Sequence, residues 1–594
     1  MRRSAMIVLL GGLLLAGAGI LLATATPSQA AAPVPVPVAA PTPLPTHPHD
    51  FAMPGTQPGA LTDPIPDPDQ CNICHTPPVY DTWRGSMMGQ AGRDPLFWAA
   101  LAVAEDDAPG SGEFCLRCHT PKGWLEGRSH VTDGSALTAA DINAGVACEV
   151  CHRLVDPQPP VDATRDEAAA LDLAIHATLA VTVPVDRIGS AMMIVDPADN
   201  RRGPFVVDAP HTAYQASFQG QGGDAVGESR LCGTCHNIDN PALVWTEEPP
   251  GGGPAQFWPR TRAPGEVALP DAALFPLERT YDEWLYSAYP AGVYAPEFAG
   301  AKPDGTVASC QDCHMPRQTG AAAYGGTQRD CGDTGCLPAH TLVGGNTWVP
   351  RLLQDDRWRL SAADNARQLR STEAAAQQML QQAATLSVTL TVQDDGVSAS
   401  VRVVNESGHK LPTGYAEGRR MWLRVRGYAA DGTRVYASGE YDDATGELAT
   451  DDDLMIYEVK QGLTPELAAL TGLEAGPSFH FALNNTILFD NRIPPRGFTR
   501  AAFAAPGLQP VPDEYADGEH WDDVDYLLPA AVVRVRVDLL YQTASKEYID
   551  FLRAEGGADG ATLGALWDDD KSPPERMVTA RAALIDVAYL PLVY

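Results

Sequence analysis

Cys148-Glu149-Val150-Cys151-His152 is the stretch on which the reading of this chain turns. The same Cys-x-x-Cys-His pattern recurs at Cys71, Cys74 and His75, at Cys115, Cys118 and His119, at Cys232, Cys235 and His236, and at Cys310, Cys313 and His314. Ten of the 12 cysteines are thereby accounted for. Zinc asks for paired Cys-x-x-Cys units and would leave five histidines unexplained. A redox dithiol needs one such site, not five. Covalent haem attachment fits instead: two thiols add to the porphyrin vinyls, and the adjacent His turns under the ring as an axial iron ligand. The repeat therefore predicts five haem c groups, each with its iron.

The gaps between successive sites carry much of the chain's 54 Gly and 51 Pro. Such a content disfavours a helical bundle, and it suits a region of short helices and long loops in which small residues let the backbone pass close to a planar cofactor. Asp94 to Leu101 and Tyr281 to Leu285 read as two of those helices.

Each iron needs a sixth ligand or leaves that position open. Nine histidines lie outside the motifs, six of them (His47, His49, His130, His176, His211 and His340) before the helix expected near residue 359. His340 opens a Gly-rich loop, His340-Thr341-Leu342-Val343-Gly344-Gly345-Asn346. His211 follows Pro210 upstream of the fourth motif, and His409 sits in the turn Gly408-His409-Lys410-Leu411-Pro412-Thr413-Gly414. With His176 and Met88 these make up the distal candidates; Met88 equally suits gap-filling against a haem edge. His480 and His520 read as surface or core residues. Cys331 and Cys336, with four residues between them and no following His, predict a small disulfide loop, which either holds the nearby His340 or only stabilises the chain.

At the N-terminus, Met1-Arg2-Arg3, an apolar run from Ala5 to Ala23 and Ser28-Gln29-Ala30 read as a signal peptide over residues 1–30. The alternative is an uncleaved anchor, since the run approaches bilayer-spanning length. Residues 31–69 read as a Pro-rich linker, residues 70–358 as the haem domain, and 359–384 as a connecting helix with apolar positions on a 3.6 period. Beyond 385, period-two alternation takes over at Leu386 to Val392, Val397 to Val403, Met421 to Val425 and Val533 to Leu539, with Asp394-Asp395-Gly396 and Asp431-Gly432 as turns. That pattern predicts an antiparallel β-sandwich. The expected fold class is α+β multidomain, with a loop-rich, mostly helical part followed by the sandwich.

Residues of about 70 to 350 resemble the multihaem c-type cytochromes, in the broad superfamily that includes the tetrahaem electron carriers of nitrifying bacteria. The resemblance is carried by Trp83-Arg84-Gly85-Ser86-Met87-Met88, Gly145-Val146-Ala147-Cys148-Glu149-Val150-Cys151-His152-Arg153, Leu231-Cys232-Gly233-Thr234-Cys235-His236-Asn237 and Cys310-Gln311-Asp312-Cys313-His314-Met315-Pro316. It implies haem ligation by His340 and His211, and ligation by His409 across domains. The related pentahaem nitrite reductases usually place Lys where one motif His stands; all five are His here, a departure that puts the carry-over of nitrite reduction in doubt.

The expected function is periplasmic or extracellular electron transfer in a bacterium. The alternative is an oxidoreductase acting on a small nitrogen or sulfur compound at one open-coordinate haem, and a third possibility is a subunit of a larger redox assembly. The formal charge of −33, made still more negative by haem propionates, excludes nucleic acid as the main partner and favours basic redox proteins. No second long apolar run follows the first, so no transmembrane segment is expected in the mature chain.

Overall fold

Alternation from Leu386 onward builds the strand Ala384–Val392, which pairs antiparallel with Val397–Asn405 across the Asp-Asp-Gly turn. Trp521–Leu528 adds a third strand on the far edge of Val397–Asn405. A second antiparallel sheet centres on Arg420–Tyr428 and Arg534–Gln542, flanked by Arg434–Ser438 and Glu575–Ala583, with Ile456–Tyr457 pairing at one end. Because successive side chains point to opposite faces, Val397, Ala399, Val401 and Val403 enter one apolar core together with Met421, Leu423, Val425, Val535, Val537 and Leu539 of the other sheet. The two sheets thus share a single core. The computed structural model describes residues 41–161, 167–205, 213–219, 224–266, 273–332, 335–355, 365–504 and 506–584. The expected signal peptide (1–30), the first part of the expected linker, His211 and residues 356–364 lie outside them.

Helices dominate the other half. Asp94 caps the helix Pro95–Asp107 by accepting from the Leu96 amide at 2.9 Å, and Pro95 occupies the first turn where no amide donor is needed. The helix Ala366–Gln382 leads directly into the first strand of the sheets.

Two expectations about boundaries are corrected. Residues 41–69 are not a free spacer: Leu44, Phe51, Met53 and Ile65 are buried, and the Thr42 and Leu44 amides donate to the carbonyls of Thr471 and Asp107. Pro-rich composition reveals stiffness but not that the intervening large side chains each meet an apolar pocket. Nor does a boundary at 385 separate two cores. Ala99, Ala100 and Val103 of the helix Pro95–Asp107 pack with Tyr548, Ile549, Leu552, Leu563 and Leu566, which come from the helices Lys546–Glu555 and Gly557–Asp569. From Pro41 onward the chain is one compact unit. Among the described residues no helix is long and apolar enough to cross a membrane.

Phe51 packs with Leu44, Ala104, Leu243 and Phe275. Phe51→Ala should therefore lower stability by about 3–5 kcal/mol in a denaturant melt; an unchanged midpoint would restore the spacer reading of this segment.

Candidate functional site

Each Cys-x-x-Cys-His motif is wound into a helical turn. The His75 amide donates to the Cys71 carbonyl at 2.9 Å and that of His236 to Cys232 at 3.0 Å, while the other three motifs lie in the helices Gly112–His119, Cys148–His152 and Cys310–His314. Residues i, i+3 and i+4 share a face of such a turn, so both thiols and the imidazole of a motif point the same way. All five faces turn inward. The ten thiols and the five imidazoles line one connected cavity of about 2190 Å³, well above the roughly 300–1,000 Å³ of a single small-molecule pocket. Thiols of different motifs meet there: Cys71 with Cys148, Cys118 with Cys235 and Cys232 with Cys310.

Two further imidazoles reach the cavity, those of His340 and His409. The His340 ring centroid lies 6.3 Å from that of His152 with the planes 24° apart, and His409 lies 6.4 Å from His314 at 17°. Backbone carbonyls hold all four rings by Nδ1: Arg202 takes His152 at 2.6 Å, Pro338 takes His340 at 3.1 Å, Val343 takes His314 at 2.6 Å, and Lys410 takes His409 at 2.9 Å. A carbonyl only accepts, so the ring proton sits on Nδ1 and Nε2 is left bare, as a metal ligand requires. Burial holds the imidazoles neutral, pulling His314 down to about 4 and His340 to about 3. His236 goes the other way. Burial alone would lower it, but Glu278, 3.7 Å from Nδ1, raises it to about 9.

The remaining candidates make no such ring pair among the described residues. His176 engages the Asp156 carbonyl through Nε2, at 2.9 Å, and does not line the cavity. His211 lies outside the described residues. Met88 does line the cavity, its carbonyl accepting from the Val146 amide at 2.9 Å. Nearby, Gly145 has φ +51°, and a Cβ there would come within 2.6 Å of that same carbonyl, so the approach requires glycine. Cys331 and Cys336 are joined as a disulfide, ahead of the strand Leu337–Pro338 that leads to His340.

A buried ion network seats the His409 loop. Lys410 Nζ donates to Asp490 at 2.7 Å, Arg492 Nε donates to the same carboxylate at 2.8 Å, and Arg492 Nη1 lies 3.1 Å from Glu283. Glu283 in turn accepts from the Lys410 amide at 3.1 Å and the Thr413 hydroxyl at 2.6 Å. Residues 283, 410 and 490 are too far apart in the chain for sequence spacing to pair them. The cavity wall also holds Tyr415, whose hydroxyl lies 2.7 Å from that of Tyr548, and Glu417, whose carboxyl is pushed up to about 8 by burial. Only their place in the turn after His409 could have drawn attention to them.

No family model matches the sequence, and none of the curated proteins does. Among solved structures the chain is similar to a penta-heme cytochrome c552 from Thermochromatium tepidum, with 17% sequence identity and a TM-score of 0.45, over 88% of this chain and 100% of that one. At that level of likeness, the identity of the cofactor rests on the chain's own residues.

Burial alone would raise the carboxyl of Asp490, but Arg492 and Lys410 outweigh it and hold the group at about 2, below its ordinary 3.8. The stabilisation is therefore complete above the ordinary value and lost as pH falls through about 2. Asp490→Asn leaves Lys410 buried without its counter-charge and should cost about 3–5 kcal/mol at neutral pH. Denaturant melts at pH 7 and pH 2.5 should show that deficit shrinking with acid.

Proposed function

We propose that the chain is a five-haem electron-transfer protein, each haem held by two thioethers and the imidazole of its motif. The observation that carries this reading is that all ten motif thiols and all five motif imidazoles line a single cavity. The residues fit the group: the thiols are paired at the spacing that porphyrin vinyls require, and the imidazoles beside them face the same cavity. When bound, haem iron supplies a one-electron couple whose potential responds to axial ligand and burial.

The chain's own residues do the rest. We read His340 as the distal ligand opposite His152, and His409 as the one opposite His314. Two imidazoles binding one metal ion from opposite sides, with metal–nitrogen bonds of about 2 Å, bring their ring centroids to about 6 Å apart, as both pairs are. The second shell of carbonyls then fixes each ring and its tautomer. Contacts between thiols of motifs one and three, and of motif four with motifs two and five, support two groups of adjacent sites, a pair and a triplet, along one cavity through which electrons pass between neighbours. We place the protein outside the cytoplasm, where c-type haem is attached, with basic redox proteins as partners of its acidic surface; the two facing sheets read as the expected sandwich. His340→Ala and His409→Ala should each convert one low-spin ferric haem to high-spin while five irons per chain are retained. Unchanged spectra would overturn the pairing, and fewer than five irons in the native protein would overturn the haem count.

One observation favours a second reading beside the first. Of the nine histidines outside the motifs, only His340 and His409 line the cavity among the described residues. Even with His211 added, three imidazoles serve five sites, so two irons have a thioether, another donor or an open position. That supports an oxidoreductase activity toward a small nitrogen or sulfur compound at one of the haems facing His75, His119 or His236. No lysine lines the cavity among the described residues. Carbon monoxide added to the reduced protein at pH 7 should shift the Soret band of one or two haems. A spectrum with no response would leave only electron transfer.

A further inference from the structure

Upstream of the first motif, and independent of the haem reading, His47-Pro48-His49-Asp50 folds into a tight turn at the start of the 3-10 helix Pro48–Phe51. The turn is fixed on every side. Phe51 and Leu44 are buried in the core, and Gly110 passes so close that a Cβ there would meet the Pro48 nitrogen at 2.4 Å. Asp50 is fully buried, with one carboxylate oxygen accepting from the Arg262 amide and the other from the His47 amide at 2.8 Å. His49 presents Nε2 to the Arg262 carbonyl at 2.7 Å. Because that carbonyl can only accept, the proton is on Nε2, and Nδ1 is left as a bare donor to a metal. His47 lies 65% exposed, with Nδ1 3.7 Å from Asp50 Oδ2 and its ring 5.3 Å from that of His49.

We propose that His47, His49 and Asp50 form a binding site for one borderline divalent transition-metal ion of the zinc class. One ligand atom from each residue lies within 4.8 Å of the other two. Atoms bound at about 2.0–2.2 Å around a shared ion sit roughly 3–4 Å apart, so a rotation of the exposed His47 ring closes the set. Two imidazoles with one carboxylate select zinc, copper or nickel over calcium and magnesium, which take oxygen donors. All three ligands come from one turn and leave the other coordination positions to water. The ion is therefore exchangeable, and is not a staple between distant elements. The Arg262 guanidinium donates to the carbonyls of Asp50 and Pro241 and not to the carboxylate. Its charge opposes a cation and keeps the site weaker than a structural zinc centre.

The test uses the intact haem-loaded protein, stripped with a chelating resin and dialysed at pH 7.5 against Zn2+, with bound zinc and iron counted by mass spectrometry. Wild type should take up one zinc per chain with saturable affinity. His47→Ala, at a mostly exposed position, should bind about tenfold more weakly or not at all, whereas His130→Ala, at an exposed histidine outside the cluster, should bind as wild type does. Absence of saturable zinc in wild type, or equal binding by His47→Ala, would overturn the site; the iron count reads the haem assignment separately.

Discussion

The buried charges of Lys410, Asp490, Arg492 and Glu283 are the constraint on which the rest of the molecule depends. Uncompensated, any one of them would cost several kcal/mol in the interior. Together they lock three segments: the helix Thr280–Leu285 on the cavity wall, the loop that carries His409, and the end of the strand Thr486–Asp490. The sheet-rich half of the chain is thereby more than a cap. It supplies an imidazole opposite His314, and it supplies Tyr415 and Glu417 to the same wall.

The cavity follows a second rule. The imidazoles of His152, His314, His340 and His409 are kept neutral by burial and oriented by backbone carbonyls, which leaves Nε2 free. His176 shows the contrast, for there the carbonyl of Asp156 takes Nε2 instead.

Much of this was legible beforehand. The motif repeat predicts five sets of two thiols and an imidazole, and period-two alternation predicts four of the strands to within three residues of their ends. Gly-rich loop and turn contexts picked out His340 and His409. Other features were hidden. The helices Lys546–Glu555 and Gly557–Asp569 pack on the helix Pro95–Asp107 across more than 400 residues of chain, and local pattern cannot report a contact so distant. Residues 41–69 look like a spacer because Pro dominates the local signal, although Leu44, Phe51, Met53 and Ile65 decide where that segment goes.

By itself the sequence determined the chemistry of attachment, because Cys-x-x-Cys-His is a local device whose geometry is complete within one helical turn. It also determined the number of such devices and the period of the strands. Which histidine faces which was decided only by the tertiary structure. Ring separations of 6.3 Å and 6.4 Å across the cavity join residue 152 to 340 and residue 314 to 409 through folding alone.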